Sequence, residues 1–137
     1  MTRSRNDSHH AIETPDAPAP VGPYSQAIVL GDLVFASGQI PLDPETGQRI
    51  GDDIEAQVQQ VLANLAAVLE AAGSGLDNVL KTTVFLTDLT LFPKVNALYA
   101  EAFTADPAPA RSTIEVSALP LGALVEIEAI ARVRSNA

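Results

Sequence analysis

The sequence predicts an α/β protein of the α+β type. It should be a two-layer sandwich in which a mixed β-sheet carries two helices on one face. Three observations lead there. Five short runs carry β-branched or alternating apolar residues, the mark of strands. Two longer runs repeat apolar residues at helical spacing. The runs follow one another as β-β-α-β-α-β-β, an order in which two helices can cover one face of a single sheet. The chain has 137 residues, of which 47% are hydrophobic, enough for one domain with a real core.

The stretch from Met1 to Pro20 is polar, then rich in proline and alanine, and reads as a loose N-terminal tail. The boundary is set at residues 1–14 for the tail and 15–137 for a single domain. His9 and His10 are adjacent but lack further ligands, so they read as tail and not as a metal site. Gly22-Pro23-Tyr24-Ser25 turns into a strand over Gln26–Leu30. Gly31-Asp32 is a two-residue hairpin loop with glycine first, as a type II′ turn prefers. The return strand is Leu33–Ser37. Pro41 cannot donate to a ladder, so Gly38–Pro41 leaves it. Pro44–Gly47 is a further turn.

A helix is predicted from about Asp53 to Ala72. Asp52 or Asp53 can cap it, with Glu55 completing a capping-box spacing from Asp52. Ile54, Val58, Val61, Leu62, Leu65, Val68 and Leu69 form its apolar stripe, and Gly73 is a natural stop. Val79–Leu86, with its near-continuous apolar and β-branched run, reads as a strand buried on both sides. A second helix is predicted over Leu91–Ala105, capped by Thr90, with Pro93 in its first turn. Val95, Leu98, Tyr99, Ala102 and Phe103 face inward, with Asn96 beside them.

Ala110–Ala131 reads as two alternating strands joined at Leu119–Gly122. In the first, Arg111, Thr113, Glu115 and Ser117 share a face, opposite Ser112, Ile114, Val116 and Ala118. In the second, Glu126, Glu128, Ile130 and Arg132 lie opposite Val125, Ile127, Ala129, Ala131 and Val133. If the two strands pair with their apolar sides together, odd-numbered residues must stand against even-numbered ones, for example Thr113 opposite Glu126. Arg111, Thr113, Glu126 and Glu128 then gather on one face. Such a face can bind an anion and move a proton, or it can be a solvated surface with a weak ion pair. The sheet face without helices needs a cover, and self-association is the simplest one.

Composition narrows the function classes. The net charge is −9, and Lys81 and Lys94 are the two lysines, so a polyanion such as nucleic acid should be repelled. Cysteine is absent, which excludes disulfides, thiolate metal sites and thiol nucleophiles. No apolar run of about 20 residues suggests a membrane span, and no secretory signal is evident. The expected setting is cytoplasmic.

Seven stretches in order resemble the RidA (YjgF) family of reactive-intermediate imine deaminases. They are GPYSQA (Gly22–Ala27), ASGQIP (Ala36–Pro41), AAG (Ala71–Gly73), KTTVFLTDL (Lys81–Leu89), VNALY (Val95–Tyr99), PARSTIEV (Pro109–Val116) and VEIEAIA (Val125–Ala131). The resemblance implies a homotrimer with a barrel-like centre, similar to chorismate mutases, and sites in clefts between subunits. It implies hydrolysis of 2-imino acids such as 2-iminopropanoate and 2-iminobutanoate to 2-oxo acids and ammonia. Those imines derive from 2-aminoacrylate-type enamines that damage pyridoxal-phosphate enzymes. It implies no cofactor and no metal.

The same resemblance assigns Arg111 to the substrate carboxylate and Glu126 to acid/base work. Tyr24, Ser37 and Asn96 match polar positions of the family's pocket. Thr113 stands where many members have cysteine, which is harmless if only the backbone carbonyl is used there. These types suit the chemistry: a planar guanidinium grips a carboxylate bidentately, and a carboxylate can activate water and help ammonia leave. A carboxylate-binding or sensing protein without turnover is the alternative.

Overall fold

The structure is a computed structural model and describes residues 8–135. Six strands form one sheet: β1 (His10–Ile12), β2 (Ala27–Leu30), β3 (Leu33–Gln39), β4 (Val79–Leu86), β5 (Ala110–Glu115) and β6 (Val125–Arg132). Two helices, α1 (Ile54–Ala71) and α2 (Phe92–Ala102), pack against it. The spatial order is β1-β2-β3-β6-β4-β5. Only β4 and β5 are parallel, as expected of strands joined through a crossover helix.

The core forms between α1 and the sheet. Ile54, Val58, Val61, Leu62, Leu65, Val68 and Leu69 are all buried, so the predicted stripe is the core stripe. They meet Val34 and Ala36 of β3, Val84 and Leu86 of β4, and Val125, Ile127, Ala129 and Ala131 of β6. Gly31 has a φ of 61° in the two-residue loop between Leu30 and Leu33. Asp53, rather than Asp52, caps α1 by accepting from the Ala56 N–H; Asp52 pairs with Arg49 instead. Gly73, at φ 80°, ends the helix.

Several expectations are corrected. The last two strands do not form a hairpin, because β4 lies between them. Its parallel pairing with β5 reverses the facing the hairpin would have imposed. Arg111 is the partner of Thr82, and Ser112 of Thr83. Glu128 also partners Thr83, and Glu126 partners Phe85. Glu126 and Glu128 therefore share a face with Ser112 and Ile114, while Arg111 and Thr113 point to the helix side. The four polar residues do not share one face.

The N-terminal segment is also less loose than expected over its described part. β1 pairs with β2, and Ala17 is buried. The buried Gln26 side chain accepts from the Thr14 N–H at 2.7 Å and donates to the carbonyls of Thr14, Ala17 and Pro18. Residues 1–7 of the expected tail lie outside the described residues. β4 is buried on alternate residues only, since Lys81, Thr83 and Phe85 are half-buried on the helix-free face. Asp88, not Thr90, caps the turn leading into α2, accepting from the Thr90 N–H and hydroxyl. That helix ends at Ala102, short of the predicted Ala105.

Candidate functional site

The six candidate side chains fall into two groups. The first surrounds the end of β3. Its ladder with β6 shifts register between Ala36 and Gln39, so Ser37 and Gly38 form a bulge. Ser37 donates its hydroxyl to the Ser25 carbonyl at 2.6 Å and its N–H to the Gln26 carbonyl. Tyr24, one residue before Ser25, is half exposed, and its hydroxyl accepts from the Val21 N–H at 3.3 Å. Tyr24 and Ser25 also line a cavity of about 630 Å³ with Glu13, Thr14 and Pro20.

Glu126 completes this group. A Cβ on Gly38 would stand 2.0 Å from Glu126 Oε2 and 3.0 Å from its Cγ. The carboxylate thus occupies space that exists because residue 38 has no side chain. Burial, and secondarily the like charge of Glu128, raise the Glu126 pKa above its ordinary 4.5. Among carboxyl groups this is the direction that suits proton transfer nearer neutrality.

The second group lies across the sheet on β5 and α2. Arg111 Nη1 donates to Asn96 Oδ1 at 2.8 Å. Its guanidinium carbon is 4.7 Å from the centroid of the Tyr99 ring and 5.2 Å from that of Phe92. Thr113 is half-buried two residues along the same face. Of the partners, Tyr99 was expected as core, and it is buried; Phe92 was not singled out. The spacing Phe92, Asn96, Tyr99 is i, i+4, i+7, one helix face, and that signal was available in the sequence. Gly38 could have been suspected from its place before Pro41, but its closeness to Glu126 depends on the bulge.

Arg111 and Glu126 are two strands apart, three residues apart along β4, and on opposite faces. Strand geometry puts their Cα atoms about 14 Å apart. Among the described residues no hydrogen bond or ion pair joins the two groups. No cluster of three or more histidine, cysteine or acidic residues suited to a metal ion occurs among them either. No described helix is long and apolar enough to cross a membrane.

The sequence pattern of the Endoribonuclease L-PSP family matches residues 14–133. A similar protein, Reactive Intermediate Deaminase A of the Arabidopsis thaliana chloroplast, is 51% identical over 120 residues, which cover 88% of this chain and 64% of that protein. The chain belongs to the RidA (YjgF) family. A Rid-family protein of Yersinia pestis has the same fold, with a TM-score of 0.89, 52% identity, and coverage of 92% of this chain and 100% of that one. TdcF of E. coli, solved with bound serine, gives a TM-score of 0.85 and 44% identity over 92% of this chain and 99% of that one. The Rid resemblance read from the short stretches is thus met by the whole domain. The name endoribonuclease on the family pattern sits beside deaminase on a relative, so the name alone does not choose the reaction.

Proposed function

We propose that this Rid-family chain hydrolyses 2-imino acids, with 2-iminopropanoate and 2-iminobutanoate as substrates, to 2-oxo acids and ammonia. Glu126 carries the reading. It is a partly buried carboxylate, seated on a glycine and with a raised pKa, on the strand of a family in which one relative bears a deaminase name. In the proposed reaction water attacks C2 of the protonated imine while Glu126 takes a proton from the water, which leaves the nitrogen neutral. A carbinolamine forms. Glu126 returns the proton to the amino nitrogen, the C–N bond breaks, the hydroxyl proton passes to the Glu126 carboxylate and from there to the departing ammonia, and ammonium and the 2-oxo acid leave. The protein supplies no redox step, and none is needed.

Arg111 is assigned the substrate carboxylate, with Thr113 beside it offering its backbone. Asn96 keeps the guanidinium in place, Tyr24 closes over the ligand, and Ser37 anchors the wall next to Glu126. The two groups lie too far apart within one chain for one small substrate. A homotrimer with sites between subunits would let Arg111 of one copy approach Glu126 of the next. The helix-free face supports such assembly, because Phe35, Ile114 and Ile130 are exposed on it. Removal of these imines would spare pyridoxal-phosphate enzymes from enamine damage.

Carboxylate binding without turnover is the second reading, favoured by the serine bound to TdcF. One experiment separates the two. An amino-acid oxidase generates imines from several amino acids, and semicarbazide traps what survives. Wild type should hasten imine loss, whereas Arg111→Ala and Glu126→Gln should not. A folded wild type that leaves the imine untouched, yet binds 2-oxo acids, would establish the binding reading instead.

A further inference from the structure

We propose that Tyr99, held by Thr82, is the positioning residue for Arg111, and that with Phe92 it fixes which edge of the guanidinium meets a substrate carboxylate. The carboxylate role of Arg111 belongs to the function proposed above; the positioning itself rests on geometry alone. Thr82 and Arg111 are direct partners on β4 and β5, so their side chains stand next to each other on the helix side. Thr82 is fully buried, and its hydroxyl lies 2.6 Å from the Tyr99 hydroxyl. The Tyr99 ring also packs on the Phe103 ring, with centroids 4.3 Å apart and planes tilted by 34°. The ring is thus tied at its hydroxyl and packed against a second aromatic ring.

Arg111 lies over that ring, at 4.7 Å, and over Phe92, at 5.2 Å. Asn96, from the turn between the two aromatics, takes one donor of the guanidinium at 2.8 Å. A guanidinium has five N–H donors. Among the described residues Arg111 makes that single hydrogen bond, so the stacked plane keeps its remaining donors at the edge. A flexible arginine on an edge strand would otherwise sample many rotamers. A planar fork held on aromatic faces is ready for a carboxylate and loses less freedom on binding.

A merely structural role explains the pair less well. Phenylalanine and valine would fill the same volume without two buried hydroxyls, at little or no cost in stability. The hydroxyl pair makes sense as a lock on the orientation of the ring that carries Arg111.

The test compares Thr82→Val/Tyr99→Leu, which removes ring and lock, with Thr82→Val/Tyr99→Phe, which removes the lock alone. Calorimetric binding of 2-oxobutanoate is one readout. The NMR signal of the Arg111 Nε–H, assigned with Arg111→Lys, is the other and needs neither ligand nor turnover. Loss of the ring should weaken 2-oxobutanoate binding about tenfold and erase the ring-current shift of the signal. Loss of the lock should weaken binding about threefold and broaden the signal. Wild-type binding together with an unmoved Arg111 signal in the leucine variant overturns the proposal. If the leucine variant does not fold, Thr82→Val/Tyr99→Phe decides: a broadened Arg111 signal supports the proposal and a wild-type signal overturns it. A wild type that binds no 2-oxobutanoate refutes the carboxylate role of Arg111, while the signal still decides the positioning.

Discussion

Glu126 is where a single side chain couples stability to chemistry. Its folded pKa is raised above 4.5, mainly by burial. Between 4.5 and the raised value the folded state holds more proton than the unfolded state, so stability falls as pH rises through that window. Glu126→Gln should therefore melt above wild type at neutral pH, with the difference vanishing below pH 4.5. Thermal melts over a pH series check this. Because Glu128 adds like charge, Glu128→Gln should move the acidic limb of the deamination pH profile to lower pH. Arg111→Lys keeps the charge but loses the planar fork. It should weaken 2-oxo acid binding roughly 10- to 100-fold, as loss of a charge-assisted bond implies. Arg111 and Glu126 were legible as residue types within short motifs. Their separation was not, because period-two alternation assigns a face within a strand and says nothing about which strand lies alongside.

Among the elements, the bulge at Ser37–Gly38 has the sharpest consequence. The side chain nearest a new Cβ there is the flexible end of Glu126. Gly38→Ala should leave the fold intact and push the carboxylate aside. Turnover should collapse while 2-oxo acid affinity survives, a split that a kinetic and calorimetric pair of measurements reads directly. The helix α1 holds a second element-level device. Gln57 is fully buried, accepts from the Leu124 N–H at 2.9 Å and donates to the Gly51 carbonyl at 2.8 Å. Gln57→Ala should cost about 3 kcal/mol in denaturant unfolding, since it strands two backbone groups. The apolar stripe of α1 was legible because seven side chains repeat at one period. Gln57 was not, because its partners come from loops that only the folded chain brings near. The hairpin reading of the last two strands failed for a related reason. Local alternation resembles a hairpin, but α2 carries the chain across so that β5 pairs in parallel with β4, outside β6.

For the molecule as a whole, the sheet face opposite the helices is unfinished. Phe35, Ile130, Lys81, Thr83 and Glu128 surround a cavity of about 290 Å³ on it. Ile130→Glu should break the proposed trimer into monomers in analytical ultracentrifugation, and the deamination rate should fall with it if sites are shared between copies. The two-layer class and five of the six strands were visible in the sequence, because class follows from periodicity and element order. β1 was missed because three residues in a polar stretch carry too little pattern to read. The strand order has a further consequence. β6 comes last along the chain yet lies in the middle of the sheet, between β3 and β4. Until it is made, β1-β2-β3 and β4-β5 have no strand to join them, so any sheet a nascent chain forms on the ribosome should carry an unpaired edge at β3 and at β4. Completion waits on distant pairing, which is slow and leaves those edges exposed to other chains. Ribosome-stalled chains ending before Val125 should therefore be readily cut by protease and captured by chaperones, and release of the last strand should convert them to resistant domains in a single step.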